Sequence, residues 1–184
     1  MYFERDIKES FYKISKIYPI IALVGARQSG KTTFLKEQSK NTNYPYLFFD
    51  DPDVRELFDE DIKKFENQYI SRNETSILDE IQYCKDPGKK LKYLADKGKK
   101  IWITSSSEII LNNKVLSYLV GRVSIIKLYP LSLNEFLRAK GQKEVTEKIL
   151  ERNIWEHLTF GGYPKLTLLD DFEMKKIILR DLYD

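Results

Sequence analysis

Five short apolar runs, each of strand length, mark the first 130 positions of the chain. The run from Ile20 to Val24 is unbroken and bounded by Pro19 and Gly25, which is typical of a strand buried on both faces of a parallel sheet. The other four runs occupy residues 46–50, 75–79, 101–104 and 123–128.

Residues with helical spacing separate these runs. Apolar residues recur at three- and four-residue steps from Phe3 to Ile14, which predicts a helix over 2–17 that ends before Pro19. Further helices are predicted over 32–40, 53–69, 87–98 and 108–119. Strands that alternate with helices predict an α/β fold, in which helices cover both faces of a parallel sheet.

The pattern changes after Pro130, where helical spacing continues without a clear strand. Helices are predicted over 132–139, 144–159 and 171–183. We therefore expect an α/β core over residues 1–130 and a small helical segment over 131–184.

Composition narrows the class of protein. The 184 residues are 42% hydrophobic, which is enough for an ordinary core, and the net charge of +3 does not favour a nucleic-acid partner. Cys84 is the single cysteine, so no internal disulfide can form, which is typical of a reducing compartment. Acids near the N-terminus disfavour a signal peptide, and no apolar run is long enough to cross a bilayer. We expect a cytoplasmic protein without a membrane partner.

The strongest chemical signal is a glycine-bounded loop between the first strand and the next helix. It matches G-x-x-x-x-G-K-[ST] as Gly25-Ala26-Arg27-Gln28-Ser29-Gly30-Lys31-Thr32, followed by Thr33. The two glycines let successive backbone N–H groups and the helix N-terminus approach polyphosphate oxygens closely. Lys31 is expected to reach the β- and γ-phosphates, and the Thr32 hydroxyl to bind Mg²⁺. An ordinary glycine turn is the alternative, and the flanking strand and helix favour the phosphate loop.

Acids at strand ends supply a second signal. Asp50 and Asp79 each end a strand, and ligands of open α/β sheets bind beyond the carboxyl ends of strands. Asp79 is expected to direct Mg²⁺ through its water shell. Glu80 is placed to polarise a water for attack on the γ-phosphate, which a hydrolase needs and a small-molecule kinase does not. For an isolated Asp-Glu pair, a strand-end turn without function is the alternative.

Two further features each leave two interpretations open. Thr104, Ser105, Ser106 and Ser107 form a hydroxyl cluster after the fourth strand, which either lies near the γ-phosphate or caps the next helix. Arg122 precedes the fifth strand, where a guanidinium either neutralises charge on the transferred phosphoryl group or is a solvated surface residue.

Other polar residues favour a structural role. His157 is the single histidine, and with one cysteine it cannot assemble a zinc site. The lysines between 89 and 100 are more typical of a solvated helix face than of a nucleic-acid patch.

Together these features resemble a prokaryotic family of AAA-type ATPases, which pair an N-terminal ATPase domain with a C-terminal domain of poorly understood role. The resemblance rests on the loop stretch ALVGARQSGKTT (22–33), FDDP (49–52), ILDEIQ (77–82), LVGRV (119–123), LYPLSLNEF (128–136) and GGYP (161–164).

The resemblance implies a three-layer P-loop NTPase fold with a five-stranded parallel sheet, followed by a small helical lid. The strand that begins at Ile101 is expected between the phosphate-loop strand and the Asp79 strand. Relatives of this kind continue beyond the point that matches Asp184, so we expect the chain to be the ATPase part of a longer protein, with a truncated lid.

The resemblance also implies residue roles that spacing does not show. Arg122 is expected to act as an arginine finger on the nucleotide of a neighbouring copy, which requires a homo-oligomer. A sensor hydroxyl is expected among Thr104, Ser105 and Ser106, and it stays open which, because Ser105 stands where the family has glycine.

We expect ATP binding and Mg²⁺-dependent ATP hydrolysis that is coupled to conformational change. The sequence contains no guanine-reading Asn-Lys-x-Asp motif, which favours adenine. A nucleotide-gated signalling or DNA-binding switch with little turnover is the alternative, although the sequence does not support a DNA or protein partner. Glu80 disfavours a small-molecule kinase.

Overall fold

A computed structural model describes residues 2–106, 115–141 and 146–183, in which the chain divides into two compact units. The sheet unit comprises Ile7–Gly25 and Lys31–Leu128, and the helical unit comprises Met1–Asp6, Ala26–Gly30 and Tyr129–Asp184. Within the described residues, no helix has the length and apolar character to span a lipid bilayer.

Five parallel strands form the sheet of the sheet unit, within its described residues. They are β1 (Ile20–Val24), β2 (Tyr46–Phe48), β3 (Thr75–Asp79), β4 (Lys100–Ser105) and β5 (Val123–Lys127), in the order β2-β3-β4-β1-β5. Strand β4 lies between β1 and β3, with Ile103 opposite Ala22 on one side and Leu78 on the other. The predicted α/β fold, its five parallel strands and the inserted strand are therefore confirmed.

Strand burial follows from the unbroken apolar runs. Every residue of β1 and of β3 is buried, because a parallel sheet is covered on both faces. Phe49, Phe58 and Phe65 pack together beside the sheet, with ring centroids between 4.8 and 6.1 Å apart. Each buried phenylalanine contributes about 1.5–3 kcal/mol, so this cluster anchors the helices after β2.

Helices of the sheet unit lie close to their predicted positions. They are α1 (Lys8–Ile17), α2 (Lys31–Gln38), α3 (Pro52–Glu60), α4 (Ile62–Phe65, continued by a π-helical turn over Glu66–Ile70) and α5 (Pro87–Asp96). The helical stretch predicted over 53–69 is divided in the structure, because the Asp61 carboxylate accepts hydrogen bonds from the N–H groups of Lys63 and Lys64 and caps a second helix.

Two other predicted helices begin late or are only partly described. The helix predicted over 2–17 begins at Lys8. Of the helix predicted over 108–119, residues 108–114 lie outside the described residues, and a short 3₁₀ turn spans Leu116–Tyr118.

The helical unit contains the elements that follow residue 130. They are α6 (Leu133–Lys140), α7 (Glu147–Phe160), α8 (Pro164–Thr167) and α9 (Phe172–Tyr183). Ser132 and Glu135 form a reciprocal capping box at the start of α6, and the Thr146 hydroxyl caps α7. Gly162 lies against Leu131, where an added Cβ would be 2.0 Å from the carbonyl oxygen.

A buried cluster of charges joins α6, α7 and α9. Glu156 accepts a hydrogen bond from Lys175, which is 1% exposed, and its carboxylate lies 2.7 Å from Lys140 Nζ. The Lys175 ammonium also lies over the stacked rings of Phe160 and Phe172. Burial raises the pKa of the Glu156 carboxyl, but the hydrogen bonds from both lysines outweigh burial and hold the pKa below 4.5.

We expect Glu156→Gln to destabilise the chain in a pH-dependent way. At pH 7 the free energy of unfolding should fall by about 3 kcal/mol, because two lysines lose their buried counter-charge. A carboxyl with a lowered folded pKa stabilises above its unfolded pKa, so the difference between the two proteins should shrink as pH falls below 4.5 through the folded value.

Urea unfolding at several pH values measures this difference. The matched control is Glu173→Gln, which removes an exposed pairing with Lys176 and should cost less than about 0.5 kcal/mol at every pH. If the difference in free energy of unfolding between Glu156→Gln and the unaltered protein stays constant down to pH 3, Glu156 does not have the lowered pKa assigned to it.

Candidate functional site

A buried carboxylate lies at the centre of a polar cluster at the carboxyl end of β3. Asp79 is 1% exposed and accepts hydrogen bonds from the hydroxyls of Thr32, Tyr46 and Thr104. Thr32 Oγ1 lies 2.9 Å from Asp79 Oδ2 and 3.2 Å from Oδ1. The donors come from α2, β2 and β4, and they offset the cost of removing a carboxylate from water.

Tyr46 is a member of this cluster that the sequence did not predict. Burial, and then the hydrogen bond to Asp79 and its negative charge, raise the pKa of the Tyr46 phenol well above its usual range. The phenol therefore stays protonated and donates to Asp79 at every physiological pH. Lys36 Nζ lies 4.5 Å from the centroid of the Tyr46 ring.

Glu80 follows β3 in a left-handed backbone conformation, with φ of 59° and ψ of 48°. Its N–H donates to Thr104 Oγ1 at 2.9 Å, and its carboxylate accepts from the Gln82 side-chain amide. The same amide nitrogen lies 3.1 Å from Ser106 Oγ. A left-handed non-glycine residue costs about 1–3 kcal/mol, and such strain is concentrated at functional positions. Gln82, which the sequence did not assign to the site, joins Glu80 to the end of β4.

The hydroxyl cluster of β4 divides by position. Thr104 is fully buried and committed to the contacts described above. Ser105 is buried and lies opposite Val24 of β1. Ser106 follows the strand, is half-buried and contacts Gln82. Ser107 lies outside the described residues.

The loop before α2 is anchored at its two ends within the sheet unit. Lys31 Nζ donates to the carbonyl oxygen of Gly25 at 2.9 Å, and the side chain is 5% exposed. This hydrogen bond therefore closes the turn that begins at Gly25 and ends at Lys31. Thr33, one residue after Thr32, is exposed.

The middle of this loop, Ala26–Gly30, belongs to the helical unit. Ala26, Arg27 and Gln28 are exposed. Gln28 has a φ of 60° and Gly30 a φ of 99°. When residues with positive and negative φ alternate, successive backbone N–H groups point into a concave site that binds anions. The buried Ser29 hydroxyl has no hydrogen-bond partner within the described part of the chain, which fits a polar ligand at the loop.

A cleft of about 290 Å³ opens at the carboxyl ends of β2 and β3. It is lined by Thr32, Lys36, Tyr46, Phe48, Asp50, Asp79, Glu80 and Tyr83. The described residues contain no group of three or more His, Cys, Asp or Glu side chains arranged for a metal. The hydroxyl of Thr32 and the carboxylate of Asp79 are the oxygen ligands that Mg²⁺ prefers, and Mg²⁺ fills its remaining positions with water and phosphate.

Arg122 does not join these residues within its own chain. Its carbonyl oxygen accepts from Ile20 N at 3.0 Å, at the amino ends of β1 and β5, whereas Asp79 lies at the carboxyl end of β3. Arg122 Nε lies 2.7 Å from Asp96 Oδ1, and both side chains are partly exposed. The two sets of residues therefore lie at opposite ends of the parallel strands.

Most lysines between 89 and 100 have partners within the sheet unit. The partners are Asp59 for Lys90, Glu66 for Lys97, Glu74 for Lys100, and the carbonyl groups of Ser71 and Asn73 for Lys99. This cluster of mixed charge is a poor phosphate-binding surface.

Comparison with known proteins agrees with this fold. The family model described as "AAA domain" matches residues 18–137. An uncharacterized protein of Methanocaldococcus jannaschii is 30% identical over 97% of this chain and 42% of its own length. An uncharacterized protein of Haemophilus influenzae is 28% identical over 90% of this chain and 44% of its own length. The chain thus spans less than half the length of these two relatives.

Solved structures share the architecture at low sequence identity. A Walker-type ATPase of Pyrococcus abyssi superposes with a TM-score of 0.62 at 16% identity, over 99% of this chain and 72% of that one. A signal transduction ATPase with numerous domains (STAND) and a tetratricopeptide repeat sensor, from Pyrococcus horikoshii, gives a TM-score of 0.60 at 17% identity, over 100% of this chain and 33% of that one. With the family match over residues 18–137 and the P-loop ATPase fold, the chain belongs to the AAA domain family.

Proposed function

We propose that this chain binds ATP with Mg²⁺ and hydrolyses it, and that hydrolysis is coupled to a conformational change. The contact between Thr32 Oγ1 and the Asp79 carboxylate carries the proposal. It joins the first turn of the helix after the glycine loop to the acid that ends β3, as a shared Mg²⁺ site requires.

The phosphate-binding segment is the loop from Gly25 to Thr33, including Arg27. Backbone N–H groups between Ala26 and Gly30 would contact the phosphate oxygens. Lys31 now donates to a carbonyl of its own loop, and this ammonium is available to exchange that partner for the more strongly charged β- and γ-phosphates. The N-terminus of α2, which begins at Lys31, adds a favourable dipole.

Thr32 and Asp79 would hold the metal, Thr32 directly and Asp79 through metal-bound water. When bound, Mg²⁺ supplies positive charge that offsets the negative charge of the β- and γ-phosphate oxygens. Tyr46 and Thr104 orient the Asp79 carboxylate by donating to it, so the ligand geometry is set before the ion arrives.

Glu80 is the proposed general base. Its left-handed backbone and the hydrogen bond from its N–H to Thr104 fix the direction in which the side chain leaves the backbone. The Gln82 amide orients the carboxylate oxygens. A carboxylate held in this way can accept a proton from a water that attacks the γ-phosphate. Among the described hydroxyls, Ser106 best fits the sensor, because it lies past the strand end and contacts the amide that holds Glu80.

Arg122 is proposed to act in a neighbouring copy of the chain. Its partly exposed guanidinium is paired with Asp96 near the amino ends of β1 and β5, at the other end of the strands from the Asp79 cluster. An arginine finger in this position would need a homo-oligomer, in which the guanidinium exchanges Asp96 for phosphate.

A nucleotide-gated switch with little turnover is the second candidate. One contact favours it: the Gln82 amide donates to the Glu80 carboxylate and occupies an oxygen that would otherwise accept from water. The two candidates differ in whether bound ATP is consumed, so phosphate release separates them.

We expect Glu80→Gln to remove turnover and to leave binding intact. Loss of the proton acceptor should lower steady-state phosphate release by about a hundredfold or more. The Kd for Mg·ATP should stay the same or fall slightly, because an amide fills the same volume and its introduction removes a negative charge near the phosphates. Phosphate release and isothermal titration calorimetry measure the two effects.

The matched control is Glu74→Gln, an exposed glutamate paired with Lys100. It should retain full turnover. If Glu80→Gln loses binding together with turnover, Glu80 is not the base. If the unaltered protein binds Mg·ATP tightly and releases no phosphate, the switch is the better description.

We expect Thr32→Val to weaken the dependence of ATP binding on Mg²⁺. The unaltered protein should bind ATP at least about tenfold more tightly with Mg²⁺ than with EDTA, a difference of ~1.4 kcal/mol. The variant should bind with similar affinity in both conditions, because it lacks the hydroxyl ligand.

Calorimetry with and without Mg²⁺ tests this expectation. Thr42→Val, which removes a hydroxyl that donates to the Ser39 carbonyl beyond the end of α2, is the control and should behave as the unaltered protein. An undiminished Mg²⁺ effect in Thr32→Val would contradict the assignment of this ligand.

A further inference from the structure

A buried arginine of the helical unit contacts the middle of the phosphate loop. Arg5 is 5% exposed, and its Nη1 donates to the carbonyl oxygen of Ser29 at 3.0 Å. Nη2 donates to the carbonyl oxygen of Tyr129 at 2.5 Å, and Nε lies 3.1 Å from Glu135 Oε1. One guanidinium near the N-terminus thus contacts two distant stretches of the chain, the loop at Ser29 and the stretch from Tyr129 to Glu135.

The guanidinium also lies against the loop backbone. A Cβ added to Gly30 would be 3.5 Å from Arg5 Nη1 and 3.8 Å from Pro164 Cγ. The loop is therefore supported at two successive residues, Ser29 and Gly30, by side chains of its own unit.

Glu135 fixes the arginine in turn. Its Oε1 accepts from Asp6 N at 2.7 Å, and its Oε2 accepts from Ser132 N at 2.9 Å. Because Glu135 is 4% exposed and makes these two backbone contacts, its position does not depend on the loop. The carboxylate holds Arg5 in one orientation, and that orientation aims Nη1 at Ser29.

The loop needs such a support. Residues 26–28 are exposed, and a left-handed non-glycine residue such as Gln28 costs about 1–3 kcal/mol, which contacts elsewhere in the structure must offset. A planar guanidinium presents donors in fixed directions, so it can fix several carbonyl groups at once, whereas a lysine ammonium cannot span the same partners.

We propose that Arg5 is a positioning residue that holds the phosphate loop in its anion-binding conformation. By contacting Ser29, Tyr129 and Glu135 together, it also ties the loop to the start of α6. The effect on nucleotide affinity rests on the proposed ATP binding, and the effect on loop order does not.

Arg5→Met and Arg5→Lys test this role, with Arg138→Met as the matched control. Arg138 pairs with Asp6 at 2.5 Å, and both of these side chains are about half exposed. Amide hydrogen exchange of peptides covering 26–33 in the nucleotide-free protein reports loop order. Calorimetry reports the Kd for Mg·ATP, phosphate release reports kcat and KM, and thermal unfolding reports stability.

In Arg5→Met we expect faster exchange across 26–33 and a Kd for Mg·ATP raised by about tenfold or more, since one to two charge-assisted hydrogen bonds are lost. KM should rise more than kcat falls, because Arg5 touches the loop and not the reacting atoms. Arg5→Lys should recover part of the loop protection and of the affinity for Mg·ATP. Arg138→Met should match the unaltered protein in hydrogen exchange and in Kd.

A lowered melting temperature in both Arg5 variants, with loop exchange and Kd unchanged, would overturn the proposal and leave Arg5 a stabiliser of the helical unit. If Arg5→Met does not fold, the comparison of Arg5→Lys with Arg138→Met decides. If the unaltered protein binds no nucleotide, the proposed function fails, while the exchange data still support or reject the positioning role.

Discussion

The buried carboxylate of Asp79 is the constraint on which the carboxyl end of the sheet depends. A carboxylate at 1% exposure is tolerated only if its oxygens are hydrogen-bonded, and three hydroxyls meet that need. Thr32, Tyr46 and Thr104 belong to three different elements. The same contacts therefore fix the spacing of β2, β3, β4 and α2, and they also orient the acid proposed to direct Mg²⁺. Stability and ligand geometry are properties of one cluster here.

Much of the architecture followed from the apolar pattern. The predicted bounds of β1 and β3 agree with the structure, because strands buried on both faces must be continuously apolar. Parallel strands place their carboxyl ends together, which is why Thr32 and Asp79 were expected near each other. The split of the helix over 53–69 was missed, since the Asp61 side chain competes with a periodicity that continues across it.

Three polar residues near the candidate site could not be predicted from their neighbours in sequence. Tyr46 looks like one more aromatic strand residue until β2 is placed beside β3. Gln82 has no recognisable spacing relative to the end of β4, which it contacts through Ser106. Arg5 meets Ser29 and Tyr129 across 24 and 124 residues, and no local pattern encodes contacts of that range. Such contacts depend on the three-dimensional order of the elements.

Glu80 illustrates how the fold and the chemistry favour different amino acids at one position. A left-handed backbone suits glycine or asparagine, so the scaffold alone would be more stable with either of them. The general-base role proposed for the Glu80 carboxylate would account for a glutamate in this strained conformation. Members of the family with glycine or asparagine at the equivalent position would have a more relaxed turn, and they would lack the carboxylate proposed here as the base.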